Sequence, residues 1–464
     1  LARKNAALEI RGIPTVGIVY KNFIHDYESS ARAVGLTELP KVVVDYAYTG
    51  ISPEEIRVDI DRHIEEFIAA LTTPLKKVEQ GKIIEKITTQ AGYAAPWGTV
   101  ELGPINEELV RFTGDNYAQI YDEFQKKFLD WGWGDGFPII PPTTERVNDM
   151  LKGTSHAPEE VLTKRFYPAQ GIATVKMIAI QAVMAGARPS YLPVILAAVQ
   201  CMINAGEGFI LTAQTTSPST PFFWVNGPII GELGINCSTG TLGPGAQSRV
   251  NIAVGRAARL VMMNIGGAYL GVKDMDTIGA PDKFSLVTAE NEDDCAALGW
   301  PPYHVTKGFS AKDSTMTMVS SSEHDHVIGM STDSAEGLLL SFAVKMGSAG
   351  GAEWMGGPRG GGIILLAGDD ARTCIRGGFK TKESIAKFVA QNIRVPRDAF
   401  IKYFTPQATA FGQLDQMLAK YPAGQDIYPG KPENITVLRV GAMEGKDEIY
   451  GGGRGQTVKI DDWR

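Results

Sequence analysis

Short runs of β-branched and apolar residues alternate with helical patterns along most of this chain. That alternation points to an α/β fold, with parallel strands in its N-terminal part. Residues 14–20 read as a strand, 23–34 as a helix, and Lys-Val-Val-Val-Asp-Tyr at 41–46 as a second strand. Ser52 offers an N-cap, Pro53 suits the first helical position, and Glu54 and Glu55 follow, so a helix should run to about Leu71. The resulting order, helix–strand–helix–strand–helix, is the tail of a parallel α/β unit. Two strands are too few for a stable sheet. The chain opens on Leu1 with what reads as the back half of a helix. The expectation is that earlier residues, or another chain in a homo- or hetero-oligomer, supply the missing strands.

Three stretches are expected: a partial α/β domain at 1–75, a connector with one amphipathic helix at 76–135, and a larger mixed α/β body at 136–464. The connector helix spans 106–131 and ends in Trp-Gly-Trp-Gly-Asp-Gly-Phe-Pro at 131–138, where the tryptophans read as packing groups. In the body, helices are expected at 143–151, 173–186, 190–204, 247–264, 334–346 and 381–392. Strands are expected at 222–226, 284–288, 315–320, 363–367 and 435–440. The helices 173–186 and 334–347 are each followed by an apolar strand, ending Val-Asn-Gly-Pro at 225–228 and Leu-Ala-Gly-Asp at 366–369. This weak self-similarity suggests two similar halves with a cleft between them.

Composition excludes several roles. With 45 Lys and Arg against 52 Asp and Glu, the net charge is −7 and no basic run marks a nucleic-acid surface. The most apolar stretch, 177–203, is broken by Arg188, Pro189 and Pro193, which argues against a membrane span. Cys201, Cys237, Cys295 and Cys374 are widely spaced, which fits a reducing cytoplasm and no disulfide framework.

The densest chemistry lies in Gly-Ile-Asn-Cys-Ser-Thr-Gly-Thr-Leu-Gly-Pro-Gly at 234–245, running into a helix that carries Arg249 and Arg256. Free amides at Gly243 and Gly245, with Asn226, Asn236, Thr239 and the two arginines, would seat a small anion at a helix start. The alternative is a capped entry into a buried helix. The spacing of Gly240, Gly243 and Gly245 matches neither the dinucleotide fingerprint nor the P-loop. Cys237, near those amides and Arg249, could be a low-pKa nucleophile or a small buried residue. Glu290 and Glu292 follow a strand end, where open α/β sheets place ligand groups. They could serve as a general base, hold a divalent metal, or form a solvated loop. His324 and His326 point to one side of extended chain, which suits acid–base work at His324 or, less well, metal binding. His304, in Pro-Pro-Tyr-His, is a comparable candidate. The loop 347–362, with eight glycines in sixteen residues, carries Arg359 and would suit a lid or a surface loop.

Leu-Glu-Ile-Arg-Gly-Ile-Pro-Thr-Val at 8–16 and Ile-Ser-Pro-Glu-Glu-Ile-Arg at 51–57 resemble the UGSC family, named for a selenocysteine-or-cysteine-Gly-Ser-Cys motif. Trp-Gly-Asp-Gly-Phe-Pro-Ile-Ile-Pro-Pro at 133–142 and Val-Asn-Gly-Pro-Ile at 225–229 look like the long partner region found with it. The resemblance implies an α/β architecture and, by an inferred label, thiol–disulfide oxidoreductase activity. The family motif precedes the Arg-Gly-Ile-Pro-Thr-Val strand, and here that place lies before Leu1, so none of its residues carries over. The expectation is an enzyme acting on a small anionic or carbonyl-containing molecule, a thiol-dependent oxidoreductase by resemblance. A cofactor-independent lyase or hydrolase is the close alternative, and a non-catalytic subunit completed by another chain is the third.

Overall fold

The computed structural model describes residues 2–9, 11–21, 24, 27–28, 31, 36, 38–44, 53–73, 109–168, 171–270, 273–322, 324–328, 334–347, 361–410, 414–452 and 455–464. They form an α/β protein in two units, residues 1–99 with 397–425, and residues 100–396 with 426–464. The segment 397–425, expected inside the large body, instead groups with the N-terminal residues as the helices Arg397–Ala410 and Leu414–Lys420. It leaves and re-enters the body at one point, where Val395 and Ile427 exchange backbone hydrogen bonds of 2.8 and 3.0 Å.

In the N-terminal unit, β1 (Gly17–Tyr20) and β2 (Lys41–Val44) pair in parallel, with Gly17 opposite Lys41. Ala2 and Ala6 of the helix Ala2–Glu9 pack with Val19, Tyr27, Ala31 and Leu39 in a small core. Glycine is required at position 17 because the Tyr27 hydroxyl and ring carbons lie 2.6 and 2.7 Å from where a Cβ would stand. That ring is fixed by Tyr27 Oη donating to Pro40 O at 2.9 Å and accepting from Asn5 Nδ2 at 3.2 Å. The helix begins at Pro53 with Glu54 and Glu55 in its first turn, as its start signals imply. It is not continuous to Leu71. His63 leaves helical geometry at φ −101° and ψ 8°, splitting it into Pro53–Arg62 and Ile64–Thr72.

The connector helix is shorter than its pattern, Tyr117–Asp130, because Asn116 stops it by accepting from Gln119 N at 3.1 Å. Phe124 and Phe128 bury in the core of the larger unit, and Trp131 and Trp133 pack on Phe128 with ring centroids 5.7 and 5.2 Å away.

The larger unit contains a hairpin, β3 (Val161–Phe166) with β4 (Gly171–Thr174), and two four-stranded mixed sheets. The first sheet runs β12 (Gln456–Lys459), β7 (Thr315–Ser321), β5 (Thr220–Asn226), β6 (Val287–Ala289). The second runs β8 (His324–Ile328), β11 (Lys446–Tyr450), β9 (Gly362–Leu366), β10 (Ile435–Arg439). Strand periodicity sorts the side chains into layers. Phe222 and Trp224 of β5 meet Ile363 and Leu365 of β9 between the sheets. Phe223 and Val225 face the opposite way, onto the helices Val175–Met184, Leu192–Asn204 and Arg249–Asn264. Ile364 and Leu366 likewise face the helices Ala335–Met346 and Lys382–Asn392. The result is a four-layer arrangement, helices–sheet–sheet–helices.

The two sheets are built alike. Each central strand, β5 or β9, has a parallel neighbour, β6 or β10, and an antiparallel one, β7 or β11. Glu290 N donates to Val225 O at 3.1 Å, and Val440 N donates to Leu366 O at 3.2 Å, at matching positions. The chain leaving β7 then crosses to the other sheet as β8, pairing antiparallel with β11, and the chain leaving β11 crosses back as β12, pairing antiparallel with β7. Two similar halves are therefore present, and they exchange their last strands. Each exchanged strand covers an edge that the other half would leave open.

Candidate active site

The glycine-rich loop is held shut by its own side chains. Asn251, in the helix Arg249–Asn264, accepts from Asn236 N at 2.9 Å and donates to Asn236 O, Thr241 O and Val287 O at 2.9, 3.1 and 3.3 Å. Asn236 Nδ2 donates to Thr239 O and to Ser248 Oγ, both at 2.9 Å, and Ser248 Oγ donates to Gly240 O at 2.5 Å. Gly243 N–H is not free, because it donates to Gly240 O at 2.8 Å. Arg256 is committed elsewhere, with Nε and Nη2 on the Asp135 carboxylate at 2.7 and 2.8 Å and its guanidinium over the Phe137 ring. These observations remove Gly243 N–H and Arg256 from the expected anion seat. A polar loop of this length satisfies its backbone internally before it can offer amides outward. Thr239, Gly245 and Arg249 lie exposed at its surface, and Arg249 has no ion-pair partner among the described residues. Arg359 falls outside the described residues.

The acidic run divides into residues with different environments. Asn291 caps the helix Glu292–Leu298 by accepting from Asp294 N at 3.0 Å, so the run is a helix start rather than a solvated loop. Glu290, just before that cap, is fully buried. Its oxygens accept from Lys382 Nζ at 2.5 Å, Tyr303 N at 2.6 Å and Asn226 Nδ2 at 2.9 Å. Lys382 also donates to Pro301 O at 2.9 Å. A carboxylate filled in this way, without solvent, is a structural ion and not an accessible base. That corrects the catalytic expectation for Glu290.

Glu292 is different. Its side chain is 23% exposed, and one oxygen accepts from Asn226 Nδ2 and from Gly227 N, both at 2.8 Å. Burial pushes its carboxyl up, but the His304 ring, the Asn226 amide and the Gly227 N–H outweigh burial and hold it below the usual range. Gly227 has to be glycine, because at φ 94° a Cβ would meet Asp313 O at 2.2 Å. His304 is fully buried in the turn Tyr303–Thr306, with Nδ1 3.4 Å from Glu292 Oε1. That approach lacks hydrogen-bond geometry, and Nε2 has no partner either among the described residues. Asn226 Oδ1 is likewise buried without a partner. These three buried polar atoms, without a partner among the described residues, beside one partly exposed carboxylate mark a place where a further polar group belongs. It stands where β5 and β6 end, the end at which open α/β sheets bind ligands.

Beside it, Asp294 binds Arg439 Nε and Arg372 Nη2, both at 2.5 Å. Burial pushes the Asp294 carboxyl up, but the two guanidiniums hold it below its ordinary value. One carboxylate thus ties down two guanidiniums. His324 is remote in its contacts. It lies on edge strand β8, its ring stacked on Tyr450 at 4.9 Å, with Nε2 3.8 Å from Glu448 Oε2. The structure brings together Asn226, Glu290, Glu292 and His304 of the expected residues, adds Lys382, and separates off His324. Lys382 carried no sequence signal, since a lysine at a helix start looks like any surface lysine. Among the described residues no group of three or more His, Cys, Asp or Glu side chains is disposed to hold a metal ion.

The UGSC family matches residues 2–73. The N-terminal region is UGSC-related. Comparison with curated proteins and with solved structures gives no match for the chain. The UGSC-matching segment contains no cysteine, so the chain's four thiols all lie beyond it. None is activated. Burial pushes the Cys201, Cys295 and Cys374 thiols well up. Burial and then the Asp293 carboxylate raise Cys237, against the low pKa expected of it. The Arg439 guanidinium acts the other way and is outweighed.

Proposed function

We propose that the larger unit is an acid–base enzyme acting on a small carbonyl-containing molecule, with Glu292 as the base and His304 as its proton partner. The observation that carries this reading is the geometry at Glu292: an ionised, partly exposed carboxylate fixed by Asn226 and Gly227, beside a buried imidazole whose nitrogens have no other partner among the described residues. Such a pair can take a proton from carbon next to a carbonyl, or from water, and return it. Glu290 and Lys382 act as positioning groups, because Asn226 bridges Glu290 and Glu292. The reading favours a lyase or hydrolase over redox chemistry. The UGSC match favours a second reading, thiol-dependent oxidoreduction, which would need a thiol more reactive than the raised ones here. We place the protein in the cytoplasm on its four free cysteines; among the described residues no single helix is long and apolar enough to cross a membrane.

The test is solvent deuterium exchange by proton NMR over a panel of small aldehydes, ketones and oxo acids, with ester and amide hydrolysis followed in parallel. Turnover of some member by the native chain, lost by at least 100-fold in Glu292→Gln, is expected on the scale of general-base catalysis. No exchange or hydrolysis across the panel, or an unaffected Glu292→Gln, ends this reading.

A further inference from the structure

A second site lies at the opposite end of β5. Thr220 starts that strand and Asn226 ends it, so about 20 Å of extended chain separates this place from Glu292. Here a cavity of about 300 Å³ is lined by Pro218, Thr220, Pro281, Asp282, Ser322 and His324, among others. It sits where the chain passes from β7 to β8 between the two sheets.

Asp282 is the group that distinguishes it. This carboxylate is only partly exposed and has no hydrogen bond or ion pair among the described residues. Its neighbour in sequence does not neutralise it, because Lys283 Nζ is directed away, onto Asp274 Oδ1 at 3.0 Å and Asp276 Oδ2 at 2.7 Å. Arg259 Nη2 joins Asp274 from the other side at 3.1 Å. This buried network pins the turn Pro281–Lys283, so Asp282 is presented to the cavity by a rigid element. The opposite wall is equally fixed. The His324 ring lies flat on Tyr450, with 2° between the planes, and Tyr450 Oη donates to Glu448 Oε2 at 3.1 Å. Pro218, Ala280 and Pro281 give the space an apolar side.

We propose that this cavity binds a small primary amine, its ammonium on Asp282 and its short alkyl stem against the prolines. A partly buried carboxylate without a cation is costly, and an arriving ammonium supplies the missing charge. Three donors on the ammonium reach the Asp282 oxygens and leave one for an imidazole nitrogen of His324 in its neutral form. Burial raises the Asp282 carboxyl, with the His324 ring acting weakly against it, as expected of an acid lacking its counter-ion. The volume is at the small end for ligand sites and suits a molecule of few heavy atoms. The site is independent of the acid–base centre.

The experiment titrates the full chain at pH 8 with 1,4-diaminobutane, ethanolamine and, as the uncharged comparison, 1-propanol. It follows the His324 Hε1 resonance, assigned through His324→Gln. A saturable shift with at least one amine is expected. Propanol should give none, Asp282→Asn should weaken binding by 10-fold or more, and Glu292→Gln should leave it unchanged. No saturable shift with either amine, equal binding of propanol, or equal binding by Asp282→Asn overturns the proposal. Failure of amine binding leaves the deuterium-exchange result untouched, and the reverse holds as well.

Discussion

Replacing Lys382 by methionine tests whether Glu290 is a structural ion. The ammonium lies 2.5 Å from Glu290 Oε1, and the two side chains are 7% and 0% exposed. Methionine keeps much of the stem's apolar volume but leaves a buried carboxylate with two neutral donors, Asn226 Nδ2 and Tyr303 N. Breaking a buried pair from one side costs about 3–5 kcal/mol, because the remaining charge cannot be solvated. That is a large part of the roughly 5–15 kcal/mol that holds a domain together. Removing the charge as well, in Glu290→Gln with Lys382→Met, should recover about 2 kcal/mol or more, since a neutral side chain carries no Born penalty. Urea unfolding of the native chain, both single variants and the double variant measures this cycle directly. If Lys382→Met loses under about 1 kcal/mol, or if the double variant is less stable than Lys382→Met alone, the buried-ion reasoning is wrong.

Three further outcomes are expected. The Asp447 carboxyl, fully buried against Asp370, is raised to about 9 by burial and then by its acidic neighbour. A carboxyl raised on folding stabilises below its unfolded value, near 4, and that stability is lost as pH rises through the folded value. Asp447→Asn should therefore gain stability relative to the native chain between pH 5 and pH 8; parallel melting curves would contradict this. Cys237, with its thiol raised by burial and Asp293, should react with iodoacetamide at pH 7.5 more slowly than a free small thiol, and mass spectrometry of the labelled peptide reads the rate. Asn251→Ala removes the donor to three backbone carbonyls and the acceptor of Asn236 N, so it should cost about 2–4 kcal/mol in urea unfolding and loosen the glycine loop in hydrogen exchange.

Local chemistry alone determined a good part of this protein. Pro53, Thr143 and Ser334 all stand at the helix starts their types imply, because a helix start is settled within one turn, while the expected cap Ser52 lies outside the described residues. The apolar runs at 222–226, 363–367 and 435–440 became strands for the same local reason, and the matching ends at 225–228 and 366–369 reported a real likeness between two halves. The site was only half visible. Glu292 stands after a strand end, as its position suggested, but nothing near Glu290 in sequence announces that Lys382, 92 residues on, will fill it. The same limit hid the strand exchange. His324–Ile328 directly follows β7 in sequence, yet it pairs with Lys446–Tyr450 in the other sheet. Hydrophobic periodicity tells a segment which face to bury and never which strand to join; that choice is made by packing between sheets, where whole layers compete for the same edge.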